Sequence, residues 1–142
     1  MYGVADGLIQ GLQSVQNAAA RLVTGTRRRD HITSVLRQLH WLPVRQRVNF
    51  KLAVLVFEAL HGLAPCYLVD GRRRLRSSDA ATCVLQRTST RFGDRTFGVS
   101  GPSVWNSLPI ELRQSYSLGQ FRRALKRICF NRFSVAPSDF CS

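Results

Sequence analysis

His40-Trp41-Leu42-Pro43-Val44-Arg45-Gln46-Arg47-Val48-Asn49-Phe50-Lys51-Leu52-Ala53-Val54-Leu55-Val56-Phe57-Glu58-Ala59-Leu60-His61-Gly62 decides the fold. Pro43 suits the first turn of a helix, where its fixed φ is already helical and its missing N–H is not needed. Gly62 suits the stop, because glycine enters the left-handed conformation at little cost. Between them Val44, Val48, Leu52, Leu55, Val56 and Ala59 recur at helical spacing. Phe50, Ala53, Val54 and Phe57 fill a second face, and Arg45, Arg47, Asn49 and Lys51 crowd the first half. The helix therefore begins amphipathic and ends apolar nearly all round, which predicts burial of its second half on several sides. It is too short and too charged at its start to span a membrane.

Outward from this helix, Leu8–Thr24 carries the stripe Ile9, Leu12, Val15, Ala19, Leu22 and Val23, with Gln13, Gln16, Asn17 and Arg21 off it, and Gly25 as the stop. Thr33 can cap a short helix over Ser34–Leu39, which puts Val35, Leu36 and Leu39 on one side and Trp41 into packing. Downstream, Gly71–Asp79 is the sharpest change of composition and predicts an arginine-rich linker. Thr82–Gln86 and Arg95–Ser100 read as strands joined by a turn at Gly93-Asp94, and Gly101-Pro102 as their break. Ser103–Ser107 and Ile110–Gln114 read as short helical turns. Ser117-Leu118-Gly119-Gln120 is a capping box, opening a last helix on Leu118, Phe121, Leu125, Ile128 and Cys129.

The expected fold is mainly α with a small β-hairpin element (α+β). Residues 1–7 are an arbitrary start, 8–69 a helical subdomain around the central helix, 70–79 the linker, 80–133 a mixed subdomain and 134–142 a fraying tail.

Several ordered blocks carry a resemblance. They are Val15-Gln16-Asn17-Ala18-Ala19-Ala20-Arg21-Leu22-Val23, His31-Ile32-Thr33 and Leu39-His40-Trp41-Leu42-Pro43-Val44-Arg45-Gln46-Arg47. Leu60-His61-Gly62-Leu63-Ala64-Pro65-Cys66-Tyr67-Leu68 and Gly101-Pro102-Ser103-Val104-Trp105-Asn106-Ser107-Leu108-Pro109 follow in the same order. From about residue 12 to about 130 the chain resembles the region downstream of the catalytic core in reverse transcriptases of LINE-type (non-LTR) retrotransposons, the jockey and chicken-repeat group. The resemblance implies a thumb or post-thumb segment of an RNA-directed DNA polymerase that follows the palm and grips template RNA and primer. It also implies the parent polymerase core as a partner. Met1 in mid-family and a ragged end at Ser142 read as a truncated open reading frame of a transposable element.

Charge points the same way without the resemblance. The 142 residues carry 21 lysines and arginines against 8 acids, a net charge of +13. Such a field draws polyanions, nucleic acid before an anionic membrane surface. The candidate phosphate contacts are three clusters: Arg27, Arg28 and Arg29; Arg72, Arg73, Arg74 and Arg76; and Arg122, Arg123, Lys126 and Arg127. Each alone can equally be a solvated loop or face. Arg122/Lys126 and Arg123/Arg127 stand four apart on the last helix, where like charges repel unless anions face them. Backbone contacts of this kind give RNA or DNA affinity without sequence choice. Phe92, Phe97 and Tyr116 are candidate stacking residues, with core packing as the alternative for each.

Catalysis is not expected. Polymerase chemistry needs carboxylates that hold two metal ions, and no two of Asp6, Asp30, Glu58, Asp70, Asp79, Asp94, Glu111 and Asp139 are adjacent. No phosphate-binding loop, zincin or nucleophile-elbow motif appears. Cys66, Cys83, Cys129 and Cys141 are scattered, without metal-ligand spacing to each other or to His31, His40 and His61. The expectation is no cofactor, no metal, and free thiols in a reducing intracellular compartment, nucleus or cytoplasm. Two further readings stand beside nucleic-acid binding. One is a protein-interaction module using Leu52–Leu60; the other is an inert relic with no selected function. Arginine-driven association with a membrane surface is a third and weaker option.

Overall fold

A computed structural model describes residues 5–63, 82, 83, 85 and 96–135, with side chains through Asn131. The described residues hold six helices: α1 (Asp6–Thr24), α2 (Ile32–Gln38), α3 (Val44–Leu60), α4 (Phe97–Asn106), α5 (Ile110–Arg113) and α6 (Leu118–Val135). The protein is mainly α. Its described residues fall into two compact units, one drawn from Asn49–Leu125 and the other from Val4–Val48 and the chain from Lys126 on. The division thus falls within α3 and α6; the expected linker at 70–79 lies outside the described residues.

Helix ends follow local chemistry. Asp6 sits in the first turn of α1, and Gly25 closes it at φ 65° with its N–H on the Arg21 carbonyl. Gly62 closes α3 at φ 69°, and the Leu63 N–H reaches back to the Glu58 carbonyl at 2.7 Å. Both are left-handed glycine caps. His40 does the same after α2 at φ 54° without being glycine; the Trp41 N–H closes that cap on the Leu36 carbonyl at 2.8 Å. Thr33 does not cap α2. It lies within the helix, His31 holds the N-cap position, and no side chain bonds the cap.

The first unit is packed on aromatics. Phe57 from α3, Trp105 from α4 and Phe121 from α6 are buried together. The Phe57 and Phe121 rings stack at 4.5 Å between centroids, and Trp105 tilts against Phe121 at 5.7 Å. Ala53, Val54, Val56 and Ala59 are buried with Phe57, so much of the apolar half of α3 is enclosed in its own unit, with Leu55 left exposed. The small residues matter at one crossing: a Cβ on Gly101 would stand 3.1 Å from Val56 Cγ2, closer than ordinary van der Waals contact.

The second strand of the expected hairpin is a helix. Residues 97–100 are the first turn of α4, not a strand: the Val99 and Ser100 N–H groups both donate to the Thr96 carbonyl, at 3.1 and 3.0 Å. Gly101-Pro102 does not break the chain but lies inside that helix. Burial at Ser100, Gly101, Val104, Trp105 and Leu108 is helical spacing, and it outweighs the β-leaning composition of Thr96, Phe97 and Val99. Among the described residues there is no strand ladder; Gly93-Asp94 and residues 84 and 86 of the first expected strand lie outside them. Cys83 is a single bridge position, and a side chain also holds its backbone. Asn106 accepts its N–H through Oδ1 at 3.0 Å and donates to its carbonyl through Nδ2 at 2.8 Å, as a neighbouring strand would.

The second unit is organised differently. Ala20, Val35 and Leu36 form a small aliphatic core with Ile32, Leu39 and Trp41 against it. Of the apolar stripe on α1 only Ile9 is buried and Ala19 half-buried, while Leu12, Val15, Leu22 and Val23 face water. Gln13 and Gln16 turn inward in its place. Gln13 Oε1 accepts the Val44 N–H at 2.9 Å, one of the donors left open at the start of α3. Gln16 Nε2 donates to the Leu42 carbonyl at 2.9 Å. The corner between α2 and α3 presents bare backbone, and buried backbone requires polar partners. An apolar stripe cannot supply them and two amides can.

Candidate nucleic-acid interface

The basic residues fall into three situations. Arg27–Arg29 follow the α1 cap in a tight turn. Asp30 is taken up by that turn: its N–H donates to the Arg27 carbonyl at 3.0 Å, and its carboxylate accepts the Arg27 N–H at 3.0 Å. The Arg27, Arg28 and Arg29 side chains are exposed, with their nearest carboxylate in sequence directed at backbone rather than at guanidinium. Arg37 and Arg47 are exposed on α2 and α3. Arg45 meets Asp6 at 2.9 Å, but both side chains are about half or more exposed, 49% and 70%. A pair that wet contributes little.

The α6 cluster divides. Arg122 is engaged, its guanidinium 2.9 Å from Glu58, whose side chain is only 21% exposed. Arg123 and Arg127 are exposed and Lys126 is half-buried. The helix continues unbroken through Val135, so the spacing of four places Arg123 and Arg127 on one face. Arg113, outside every expected cluster, is used in packing, where its Nη1 donates to Thr82 Oγ1 at 3.1 Å. Arg72, Arg73, Arg74 and Arg76 lie outside the described residues.

Some of these fall within the same compact unit. Val4–Val48 holds seven arginines, Arg21, Arg27, Arg28, Arg29, Arg37, Arg45 and Arg47, against two acids, Asp6 and Asp30, and Lys126 and Arg127 belong to the same unit. Both acids are already committed, one to Arg45 and one to the turn. Arg122 and Arg123 belong to the other unit. The four-residue α6 cluster is thus not one equivalent set, and among the described residues of the second unit the positive charge exceeds the two acids, Asp6 and Asp30.

Of the stacking candidates, Phe97 is half-buried. Its ring lies 3.5 Å from where a Gly101 Cβ would stand, in the α3–α4 packing. Tyr116, between α5 and α6, is 97% exposed and presents its whole ring to solvent. Phe92 lies outside the described residues. Cys83 and Cys129 are buried free thiols, and no helix among the described residues is long and apolar enough to cross a membrane.

Sequence reasoning missed the Arg122–Glu58 pair and the inward glutamines. Glu58 stands alone among apolar neighbours on α3, which is the available signal that it has a cationic partner. Nothing in the spacing of Gln13 and Gln16 distinguishes them from solvent-facing residues. No family model matches the chain, and no curated protein or solved structure does.

Proposed function

We propose that this chain is a non-catalytic C-terminal fragment of a LINE-type retrotransposon reverse transcriptase that binds RNA or DNA without sequence choice. The ordered sequence blocks supply the family reading, and the absent Asp-Asp pair supplies the lack of catalysis. The observation that carries the binding reading is the charge of the second unit. Seven arginines stand in Val4–Val48 against two acids, and both acids are engaged locally. Exposed guanidiniums without carboxylate partners bind phosphate oxygens and release counterions from the nucleic acid, which gives a steep dependence on salt. Arg28, Arg29, Arg37, Arg47 and Arg127, all of the second unit, are the residues proposed to contact phosphates, with Arg27 and Lys126 of the same unit. Tyr116, in the first unit, is proposed separately as a surface on which a single strand stacks.

The reading is tested by affinity for single-stranded RNA and for an RNA–DNA hybrid across a salt series. Wild type is compared with Arg28→Ala/Arg29→Ala/Arg127→Ala. Arg122 is left in place, since its loss would strand Glu58 and confuse binding with folding. The expected outcome is binding that weakens by orders of magnitude from about 50 to 200 mM salt. The variant's salt slope is expected to be shallower, by roughly one unit for each phosphate it no longer neutralises. Binding that is absent at low salt, or that the variant retains unchanged, overturns the proposal.

A further inference from the structure

The outward face of α1 is an apolar seam that its own unit leaves uncovered. Leu8, Leu12, Val15, Ala19 and Leu22 follow one another at intervals of four, three, four and three residues. Val15 is 68% exposed and Leu22 84%, with Leu8 and Leu12 each more than half exposed. That alternation is the a/d pattern of a coiled coil, and it keeps one line of side chains facing a partner helix. The inner line, Ile9, Gln13, Gln16 and Ala20, is separate, and its two glutamines are already occupied by the α2–α3 corner.

We infer that this seam pairs with the same seam of a second copy of the chain, making a dimer through α1. Three observations favour a copy over another occupant. The spacing asks for a helix with the same alternation, and α1 itself supplies one, as a two-fold interface requires. The face is uncharged: no residue from Gly7 to Ala20 carries a charge, in a chain of net charge +13. Two copies so basic can approach only through a neutral face, and a polyanion has nothing to bind there. Gly11 and Ala18 border the seam, and a Cβ on Gly11 would meet nothing within 4 Å, so a second backbone can come close. The area is sufficient but modest. Complete burial of the exposed seam would remove at most roughly 1,000 Å² over two copies, the lower limit of a specific interface. A reversible dimer at roughly micromolar to tens of micromolar concentrations is expected.

The test is the mass of the intact chain by light scattering and sedimentation, from about 1 to 100 µM, in salt of about 0.5 M, which screens charge repulsion and displaces nucleic acid. Wild type is compared with Leu12→Glu/Leu22→Glu and, separately, Val15→Lys, with helix content followed by circular dichroism. The expected result is a concentration-dependent dimer in wild type that higher salt leaves intact or strengthens, and a monomer of unchanged helix content in both variants. A wild type that stays monomeric over this range overturns the inference, whatever else the face seats. So does a dimer that survives both variants. Loss of folded structure in both variants overturns it as well, since these positions would then not be solvent-exposed.

Discussion

The two compact units solve the same burial problem by opposite means. In Asn49–Leu125 three helices contribute one large ring each, Phe57, Trp105 and Phe121, and the unit is held by volume. In Val4–Val48 the aliphatic core is small, and the helix that crosses it offers amides where rings or aliphatics are expected. The difference teaches when a hydrophobic stripe points inward. It does so when the surface across from it is side chain. When that surface is a helix end and a corner, the polar residues take the inside.

The largest break in this contrast is Trp105→Ala. Trp105 is fully buried against the stacked pair Phe57 and Phe121, and truncating a core aromatic costs about 3–5 kcal/mol. Urea denaturation followed by circular dichroism is expected to show a stability lowered by that amount. A loss under about 1 kcal/mol would mean the ring cluster does not hold the unit.

Gln13→Leu is the sharper experiment on the other unit. If α1 were an ordinary amphipathic helix, the change would add apolar surface and stabilise. With Gln13 accepting the Val44 N–H, it strands a part-buried donor at the start of α3, and a loss of about 1–3 kcal/mol is expected in the same denaturation experiment. Leu22→Glu on the same helix is the control. At 84% exposure it is expected to change the stability of the monomer by no more than about 0.5 kcal/mol. The two results together measure which face of α1 is inside.

These positions also mark what is legible from sequence. The limits and stops of α1 and α3 are, because Gly25 and Gly62 announce left-handed caps and the apolar periodicities are long. The inward line Phe121, Leu125 and Cys129 of α6 is legible too, since large side chains at helical spacing had only large side chains to meet. The facing of α1 is not, because period alone does not tell a helix what stands opposite. Residues 97–100 mislead for a related reason: Phe97 and Val99 favour strands locally, and the helix is decided by Trp105 and Leu108 further along. For the basic clusters the sequence holds charge and spacing but not pairing, so Arg122 and Arg123 look alike until Glu58 is seen beside one of them.

Gly101→Ala tests the closest approach in the aromatic unit. Alanine favours helix over glycine by about 1 kcal/mol, so an uncrowded site would gain. Here the new methyl would come 3.1 Å from Val56 Cγ2. Val56 is itself fully buried and has no room to retreat. Overpacking of this kind costs about 1–3 kcal/mol, so a small net loss by thermal denaturation is expected. A gain would show that the α3–α4 crossing can widen.

The smallest effect belongs to the amide-bridged unit, at His40. The residue ends α2 in the left-handed region at φ 54°, where Gly25 and Gly62 stand at the ends of α1 and α3. A side chain with a Cβ is strained there by about 1 kcal/mol, and glycine relieves it. Glycine also gives the unfolded chain more freedom, which removes part of the gain. The net expectation for His40→Gly is a stabilisation of about 0.5 kcal/mol, read as a small rise in the urea midpoint. The gain is available only because the cap depends on backbone, with the Trp41 N–H on the Leu36 carbonyl, and not on the imidazole. A loss on substitution would therefore assign the imidazole a contact of its own, and would make this corner, like Gln13 and Gln16 beside it, a place held by polar side chains rather than by fold geometry alone.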